Sequence, residues 1–590
     1  MAANESIKHI YIYIYTFIKF LSRLKESKLA TVILACIFAF TLFLQCCFFH
    51  FQAFHSIMIS SLWKDPIAFL TFYAPKISIA LFIASFVFLF KRKSWTIYVS
   101  FLVSIWCIAE LVYYRANGIF LDAFSFTMVG NMDGFWSSVP MYIYISDFIL
   151  FLISIFFVFS YYILHDNSRN YKITIIAISI AVILNVFTCF SLANFEIKYV
   201  VTINPCSKNA IGGIVDPSKQ TYLNRFSSIH AFIYDLKEIL LLPFENNAYV
   251  LSSNEIIQVN KFLNKSSVNR SVSSNIIVIL VESFETWTIN EKITPNLHKF
   301  TSDESSIFYA NKIITQTKGG TSADGQMIVN TGLLPINEGA VCYRYPMNVF
   351  PSIPQNYKKT AAIVPGSLSV WNQKYMSDSY GITSNYETST NDADIFNKLI
   401  EIYPYNEYTL AITMSSHTPF NSCINREIDI PTTMPELMQN YLKTINYMDE
   451  NLGDFLSLIS KDSILQNSTI VITGDHTIFP SEIRKEFSDY CKANNLDYKV
   501  EENYCPLIIY SPNIKEKTIV NDVAYQMDIY PIILHLIGAE DYYWKGFGVN
   551  LLDSVARQNR PISPEDAFEL SDKLIRANYF KEIESQLSNN

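Results

Sequence analysis

The 590-residue sequence has no cluster of Lys and Arg after its apolar first third, and its formal net charge is -8. That balance excludes a nucleic-acid partner held by phosphate contacts. It has no CxxC spacing: Cys206, Cys342, Cys423, Cys491 and Cys505 stand apart in the polar part, which excludes a zinc knuckle and leaves room for one disulfide at most. No Gly-Lys-Ser/Thr follows the glycine pair Gly319-Gly320, so a P-loop nucleotide site is excluded as well. What the chain has in excess is apolar residues, half of the total, distributed unevenly.

Charge is almost missing from a series of apolar runs between Leu29 and Leu192, whereas beyond about Ser207 charged residues return at ordinary density. A hydrocarbon core takes about 20 apolar residues to cross in a helix. Five stretches qualify, near 29–51, 69–90, 95–113, 142–164 and 173–192. Basic residues flank alternate ends: Lys19, Arg23, Lys25 and Lys28, then Lys91, Arg92 and Lys93, then Arg169 and Lys172. Excess Lys/Arg marks the cytoplasmic side, so an odd number of spans puts everything after Leu192 outside the cytoplasm. Glu110 and Arg115, at the outer end of the third stretch, are expected to reach the solvated headgroup region. The segment from Ile7 to Leu24 is expected to lie along the inner interface. The run from Phe226 to Leu242 has helical spacing and is expected to pack as a helix.

From Asn275 the pattern becomes short β-branched runs separated by helix-like segments, the signature of an α/β domain with a largely parallel, buried sheet. Expected strands are 276–281, 361–364, 409–414, 469–473 and 506–510. Three of them run into polar groups: Glu282 after the first, Ser415, Ser416 and His417 after the third, Asp475 and His476 after the fourth. Open α/β sheets bind ligands outside the carboxyl ends of their strands, so these groups converge on one rim. A carboxylate at Glu282 needs a cation or basic partner if it is buried. Asp475 and His476 add an oxygen and a nitrogen ligand. Thr321, in the flexible setting of KGGTSADG, offers a hydroxyl that a divalent ion would activate as a nucleophile toward phosphorus. His417 is placed to hold or protonate substrate oxygens.

These motifs carry a resemblance. IIVILVES with Glu282, KGGTSADGQ with Thr321, WNQKYM from Trp371, SSHTPF with His417 and VITGDHT with Asp475 and His476 resemble the lipoteichoic acid synthase family of phosphoglycerol transferases, in the alkaline phosphatase and sulfatase superfamily. YLKTINYMDENLGDFL, CPLIIYSP and QMDIYPIILHLIG extend the match. The resemblance implies a five-span α-helical membrane domain joined to a sulfatase-like α/β outer domain. The expected organisation is an interfacial N-terminus over 1–28, the membrane domain over 29–192, a linker with a helix over 193–270, the catalytic domain over 271–555 and a tail over 556–590.

The resemblance also implies that Thr321 takes the glycerol phosphate of phosphatidylglycerol and passes it to an envelope acceptor, a polymer, glycan or glycolipid. Manganese or magnesium, with zinc as a further candidate, is implied at Glu282, Thr321, Asp475 and His476. The place implied is the bacterial cytoplasmic membrane, with the catalytic domain on the extracytoplasmic side. Relatives that polymerise glycerol phosphate carry an arginine after the Trp-Asn pair and a histidine a few residues before it. Here Gln373 follows Trp371 and Asn372, and Pro365-Gly366 occupies the earlier place. A bidentate guanidinium contact to phosphate is thereby lost, and Lys318 is the candidate to replace part of its charge. The alternatives are a phosphoethanolamine transferase and a non-catalytic membrane-anchored binding protein. A sulfatase is excluded, because TSADG lacks the C/S-x-P-x-R run that formylglycine formation requires.

Overall fold

The computed structural model describes residues 29–54, 66–117, 120–121, 124–125, 139–164, 169–195, 227–241, 249–264, 272–479 and 481–588. The expected interfacial segment from Ile7 to Leu24 and the linker's Cys206 lie outside them. The chain divides into two compact units, residues 1–123 with 139–244 and residues 124–138 with 245–590.

The first unit is helical: α1 (Leu29–Phe54), α2 (Pro66–Ser85), α3 (Trp95–Asn117), α4 (Phe148–Leu164), α5 (Tyr171–Phe195) and α6 (Ser228–Leu241). Among the described residues three helical segments, Leu29–Phe54, Trp95–Ala116 and Ile145–Leu164, are long and apolar enough to cross a membrane, and Phe72–Phe88 and Tyr171–Leu184 are shorter apolar helices. Leu34, Phe38, Leu42 and Phe157 form the core between α1 and α4, while Phe40, Leu102, Phe156 and Ile183 face outward. An apolar exterior of that kind suits lipid.

One expectation fails here. Arg115 does not extend into solvent: its guanidinium donates to both carboxylate oxygens of Asp147 at 2.7 and 2.9 Å and to the Tyr142 carbonyl at 2.9 Å. Its side chain is only 6% exposed. Glu110 is also buried and accepts from the Leu121 N–H. Asp147, 32 residues along the chain from Arg115, supplies the partner that spacing along one helix could not reveal.

The second unit is built on a nine-stranded sheet in the order β4-β3-β5-β1-β6-β7-β2-β8, with β9 on β2. Its strands are β1 (Asn275–Val281), β2 (Ile307–Ile314), β3 (Thr360–Pro365), β4 (Ser384–Thr388), β5 (Tyr408–Ile412), β6 (Ser468–Gly474), β7 (Cys505–Tyr510), β8 (Thr518–Val520) and β9 (Ala524–Tyr525). The five expected strands are β1, β3, β5, β6 and β7. β1 reads as an unbroken apolar run because neither of its faces meets water. β4 and β8, partly exposed, carry mixed residues with no such run.

β1 pairs in parallel with β5 and β6, whereas β7 runs antiparallel to β6 and β2. Register sets the site: Val281 lies opposite Gly474 and Leu280 opposite Ile412, so the next residues, Glu282 and Asp475, emerge side by side. One face is covered by helices α9 (Asp392–Ile402) and α10 (Glu436–Leu456), whose Phe396, Leu399, Met438, Leu442, Ile445 and Met448 join Ile277, Ile279 and Val281 in one cluster. Two further helices shape the rim, α7 (Thr321–Thr331) and α8 (Gln373–Tyr380). The residues after 555, read from sequence as a tail, include helices α11 (Pro564–Arg576) and α12 (Tyr579–Ser588), and α11 exchanges hydrogen bonds between Ser571 and the Leu334 backbone.

Candidate active site

Glu282, Asp475 and His476 come together within 4.8 Å of one another and are all buried. Glu282 and Asp475 are held from behind. The Ser283 hydroxyl donates to Glu282 Oε1 at 2.6 Å, and the Ser283 and His476 N–H groups both donate to Asp475 Oδ1, at 2.9 and 2.8 Å. The Glu282 N–H donates to Thr413 Oγ1, and the Ser416 hydroxyl donates to the Glu282 carbonyl. Gln526 Nε2 donates to the Asp475 carbonyl while its own Oε1 accepts from Gln316 N. The one carboxylate oxygen left over is Asp475 Oδ2, buried without a hydrogen-bond partner and 3.6 Å from His476 Nε2.

An orphaned buried oxygen beside a second carboxylate and an imidazole is costly unless a cation joins them. The donor set of two carboxylates, one imidazole and a nearby hydroxyl suits a divalent ion. Electrostatics agree. Burial would push the Glu282 carboxyl up, but His476, then His417, and the Ser283 hydroxyl hold it below its usual range. Burial and then the Glu282 charge push Asp475 up to about 7, against the pull of His476. Burial opposes the charge on His476, yet Asp475 and Glu282 outweigh it and raise its pKa. Two carboxylates thus compete for one positive neighbour, which is the situation a metal ion relieves.

The helix bearing Thr321 closes the cluster. Thr321 is the first residue of α7, half-buried, with φ at +38°, a left-handed conformation that a β-branched residue adopts only when its surroundings impose it. Asp324 imposes it: its Oδ2 accepts from the N–H groups of both Lys318 and Gly320 at 2.9 Å. A Cβ on Gly320 would stand 2.2 Å from Asp324 Oδ1, and one on Gly325 would stand 2.7 Å from the Asp475 carbonyl. Those two glycines are what lets the loop wrap its own aspartate and the helix lie against the strand end that carries Asp475. Burial pushes Asp324 up to about 6, against its two backbone donors and Lys318.

The hydroxyl that reaches the cluster directly is that of Ser322, 3.1 Å from Glu282 Oε2 and 3.2 Å from His476 Nε2. Sequence reasoning passed over Ser322, whose only signal is its place beside Thr321. Asp324, Gln526 and Asp392 were missed as well. Asp392 Oδ1 accepts from the N–H groups of Met414 and Ser415 at 2.8 and 2.9 Å, fixing the turn that carries His417. His417 is half-buried, with Nδ1 at 2.8 Å from the Thr418 carbonyl oxygen, and its charge acts on Glu282.

The loop after β3 is different in kind. Trp371 and Asn372 are both left-handed, at φ +54° and +49°. The Tyr343 hydroxyl accepts from Trp371 N, and Asn372 Nδ2 donates to the Cys342 carbonyl. Gln373 is buried, and its Nε2 donates to Gln326 Oε1 on α7 at 3.0 Å. Lys318 donates to Asn337 Oδ1, and its ammonium lies 4.2 Å from the centre of the Phe568 ring on α11. Burial lowers the Lys318 pKa, against the charges of Asp572 and Asp324.

Residues 274–539 match the sulfatase family model, and residues 12–203 match the model of the lipoteichoic acid synthase N-terminal domain. The chain is 24% identical over 518 residues to a lipoteichoic acid synthase of Staphylococcus saprophyticus, covering 80% of this chain and 77% of that protein. It is 25% identical over 548 residues to lipoteichoic acid synthase 2 of Bacillus subtilis, covering 83% and 78%. The crystal structure of the lipoteichoic acid synthase LtaP from Listeria monocytogenes aligns with a TM-score of 0.43 at 21% identity, over 58% of this chain and 96% of that one.

Proposed function

We propose that this chain, which is a lipoteichoic acid synthase-like member of the alkaline phosphatase and sulfatase superfamily, is a phosphoglycerol transferase that works through a covalent threonine intermediate. The observation that carries the reading is the convergence of Glu282, Asp475 and His476, with one carboxylate oxygen orphaned, at the start of the helix that begins with Thr321. A divalent ion held by Glu282, Asp475, His476 and the Thr321 hydroxyl would make that hydroxyl more acidic and offset charge on the transferred phosphoryl group. Manganese or magnesium suits the two carboxylates, and zinc suits His476 equally.

The chain's own residues do the rest. The Thr321 hydroxyl releases its proton to water as its oxygen attacks the phosphorus of phosphatidylglycerol, the bond to the diacylglycerol oxygen breaks, and glycerol phosphate remains esterified to Thr321. His417 protonates the departing oxygen. An acceptor hydroxyl from an envelope polymer, glycan or glycolipid then gives its proton to His417 and attacks the same phosphorus, and the bond from phosphorus to Thr321 breaks, with the Thr321 oxygen taking a proton back from water. The left-handed start of α7, clamped by Asp324, holds the nucleophile in place without further reorganisation.

Access to a lipid donor accounts for the helical unit. Its basic loops support five spans with the catalytic unit on the extracytoplasmic side of the cytoplasmic membrane. Gln373 favours keeping a second donor in view, because a neutral amide paired to Gln326 does not select a phosphoglycerol headgroup over phosphoethanolamine. The full chain is incubated with manganese and phosphatidylglycerol or phosphatidylethanolamine, and released diacylglycerol is measured. Release from phosphatidylglycerol is expected. Release only from phosphatidylethanolamine would reassign the headgroup, and release from neither would leave a membrane-anchored binding protein.

A further inference from the structure

Gln373 leaves the Trp371–Asn372 loop without a guanidinium of its own, and two nearby lysines are engaged. Lys374 pairs with Asp378 at 2.5 Å, and Lys318 donates to Asn337 Oδ1 with its ammonium 4.2 Å from the Phe568 ring centre. Arg344 is different. Among the described residues it has no carboxylate partner, and its hydrogen bonding is confined to Nη1, which donates to the Glu338 carbonyl at 3.0 Å. The rest of its fork of N–H donors is open.

That fork is nevertheless held in place. Its central carbon lies 3.4 Å from the centre of the Phe124 ring, and both residues belong to the second compact unit. Gly339, at φ +70°, makes room for the stack: a Cβ there would stand 2.7 Å from Phe124 Cβ and 3.1 Å from Arg344 Cδ. A guanidinium over a ring face is fixed by it while keeping the donors at its edge. The charge is therefore positioned before any ligand arrives.

Arg344 also adjoins the residues that hold the loop. The hydroxyl of the preceding Tyr343 accepts from Trp371 N at 3.2 Å, the two rings lie 5.9 Å apart between centres, and the Cys342 carbonyl accepts from Asn372 Nδ2 at 2.8 Å. Trp371, Asn372 and Arg344 are all half-buried, so each is open to a ligand. Glu338, which holds Arg344, directly follows Asn337, which holds Lys318 of the loop that carries Thr321. Residues 337–339 thus tie the guanidinium to the nucleophile loop as well.

We propose that Arg344 is the specificity-determining cation of the headgroup site: its open donors bind a phosphate or glycerol oxygen of the donor lipid, and its charge repels the ammonium of a phosphoethanolamine. The inference rests on the transferase reading above and concerns only which headgroup is held. A phosphoglycerol offers acceptor oxygens to the fork, whereas an ammonium brings a like charge and no acceptor. What Gln373 does not select, Arg344 selects.

The full chain in detergent, with a chelator present so that binding is read without transfer, is titrated calorimetrically with dihexanoyl phosphatidylglycerol, dihexanoyl phosphatidylethanolamine or glycerol phosphate. The wild type is expected to bind phosphatidylglycerol at least about tenfold more tightly than phosphatidylethanolamine. Arg344→Gln is expected to lose that preference by weakening phosphatidylglycerol and not phosphatidylethanolamine. Arg344→Lys, which keeps the charge, is expected to keep a preference, and adding Gln373→Arg to Arg344→Gln is expected to restore one from within the loop. Equal weakening of both lipids in Arg344→Gln, unrescued by Gln373→Arg, would overturn the inference by showing that Arg344 only supports the fold. An Arg344-dependent site that takes glycerol phosphate more tightly than phosphatidylglycerol would overturn it too, by assigning the guanidinium to the end of an acceptor. Binding of neither lipid, with chelator or with manganese, would overturn the transferase reading and the inference with it.

Discussion

The two sides of the candidate site are built by opposite means. On the β1, β5 and β6 side, charged groups are buried together and both carboxylate residues are buttressed by a hydroxyl, an amide or a backbone N–H, leaving one oxygen open. On the side after β3, the groups are neutral: a Trp, an Asn and a Gln fixed through left-handed backbone and amide-to-amide contact. The first side can bind a cation and organise a phosphoryl group, but it says little about what that group carries. The second is the side expected to set what fits beside it. On the proposed function chemistry and selectivity are therefore separable, and substitutions on the two sides should have different signatures.

The largest effect is expected at Thr321. Thr321→Ala should lower transfer by at least about 10³-fold, whereas Ser322→Ala should reduce it less, since Ser322 touches Glu282 and His476 and is not the proposed carrier of the phosphoryl group. Diacylglycerol release from both variants separates them, and the reverse order would move the nucleophile to Ser322. Next is the cation. Asp475→Asn should abolish stoichiometric manganese binding by the purified chain and cost at least about 10²-fold in rate. Retained manganese in that variant would break the account of the charged side.

A smaller effect concerns Asp392, which orients the His417 turn. Burial raises its carboxyl from 3.8 to about 6, against the Met414 and Ser415 N–H groups. Between those values the folded protein keeps a proton that the unfolded chain has released, so stability falls as pH rises from 4 to 6 and is level above. Asp392→Asn should remove that fall, roughly 3 kcal/mol in all, read as hydrogen-exchange protection of the β5 amides. An unchanged slope would show that Asp392 is not the titrating group. The smallest change is expected on the neutral side, where Gln373→Arg should lower KM for phosphatidylglycerol about tenfold and leave kcat nearly unaltered. A change in kcat alone would contradict the separation.

Much of the charged side was legible in the sequence. Glu282, Asp475 and His476 each terminate an apolar run, and parallel pairing brings such termini to one rim whatever lies between them. The buttresses were not legible, because Gln526 reaches Asp475 across fifty-one positions and Asp392 reaches Ser415 from another helix. The edge strands β4 and β8 were missed for a related reason: partly exposed residues carry no unbroken apolar run. In the helical unit, Arg115 read as solvated until Asp147 supplied a partner from a different element.

The most direct measurement is mass spectrometry of the Thr321 peptide after the full chain, loaded with manganese, meets phosphatidylglycerol labelled in its headgroup and no acceptor. The account predicts glycerol phosphate on Thr321, absent in Thr321→Ala and in Asp475→Asn. Diacylglycerol released with no modified residue anywhere in the chain would contradict it.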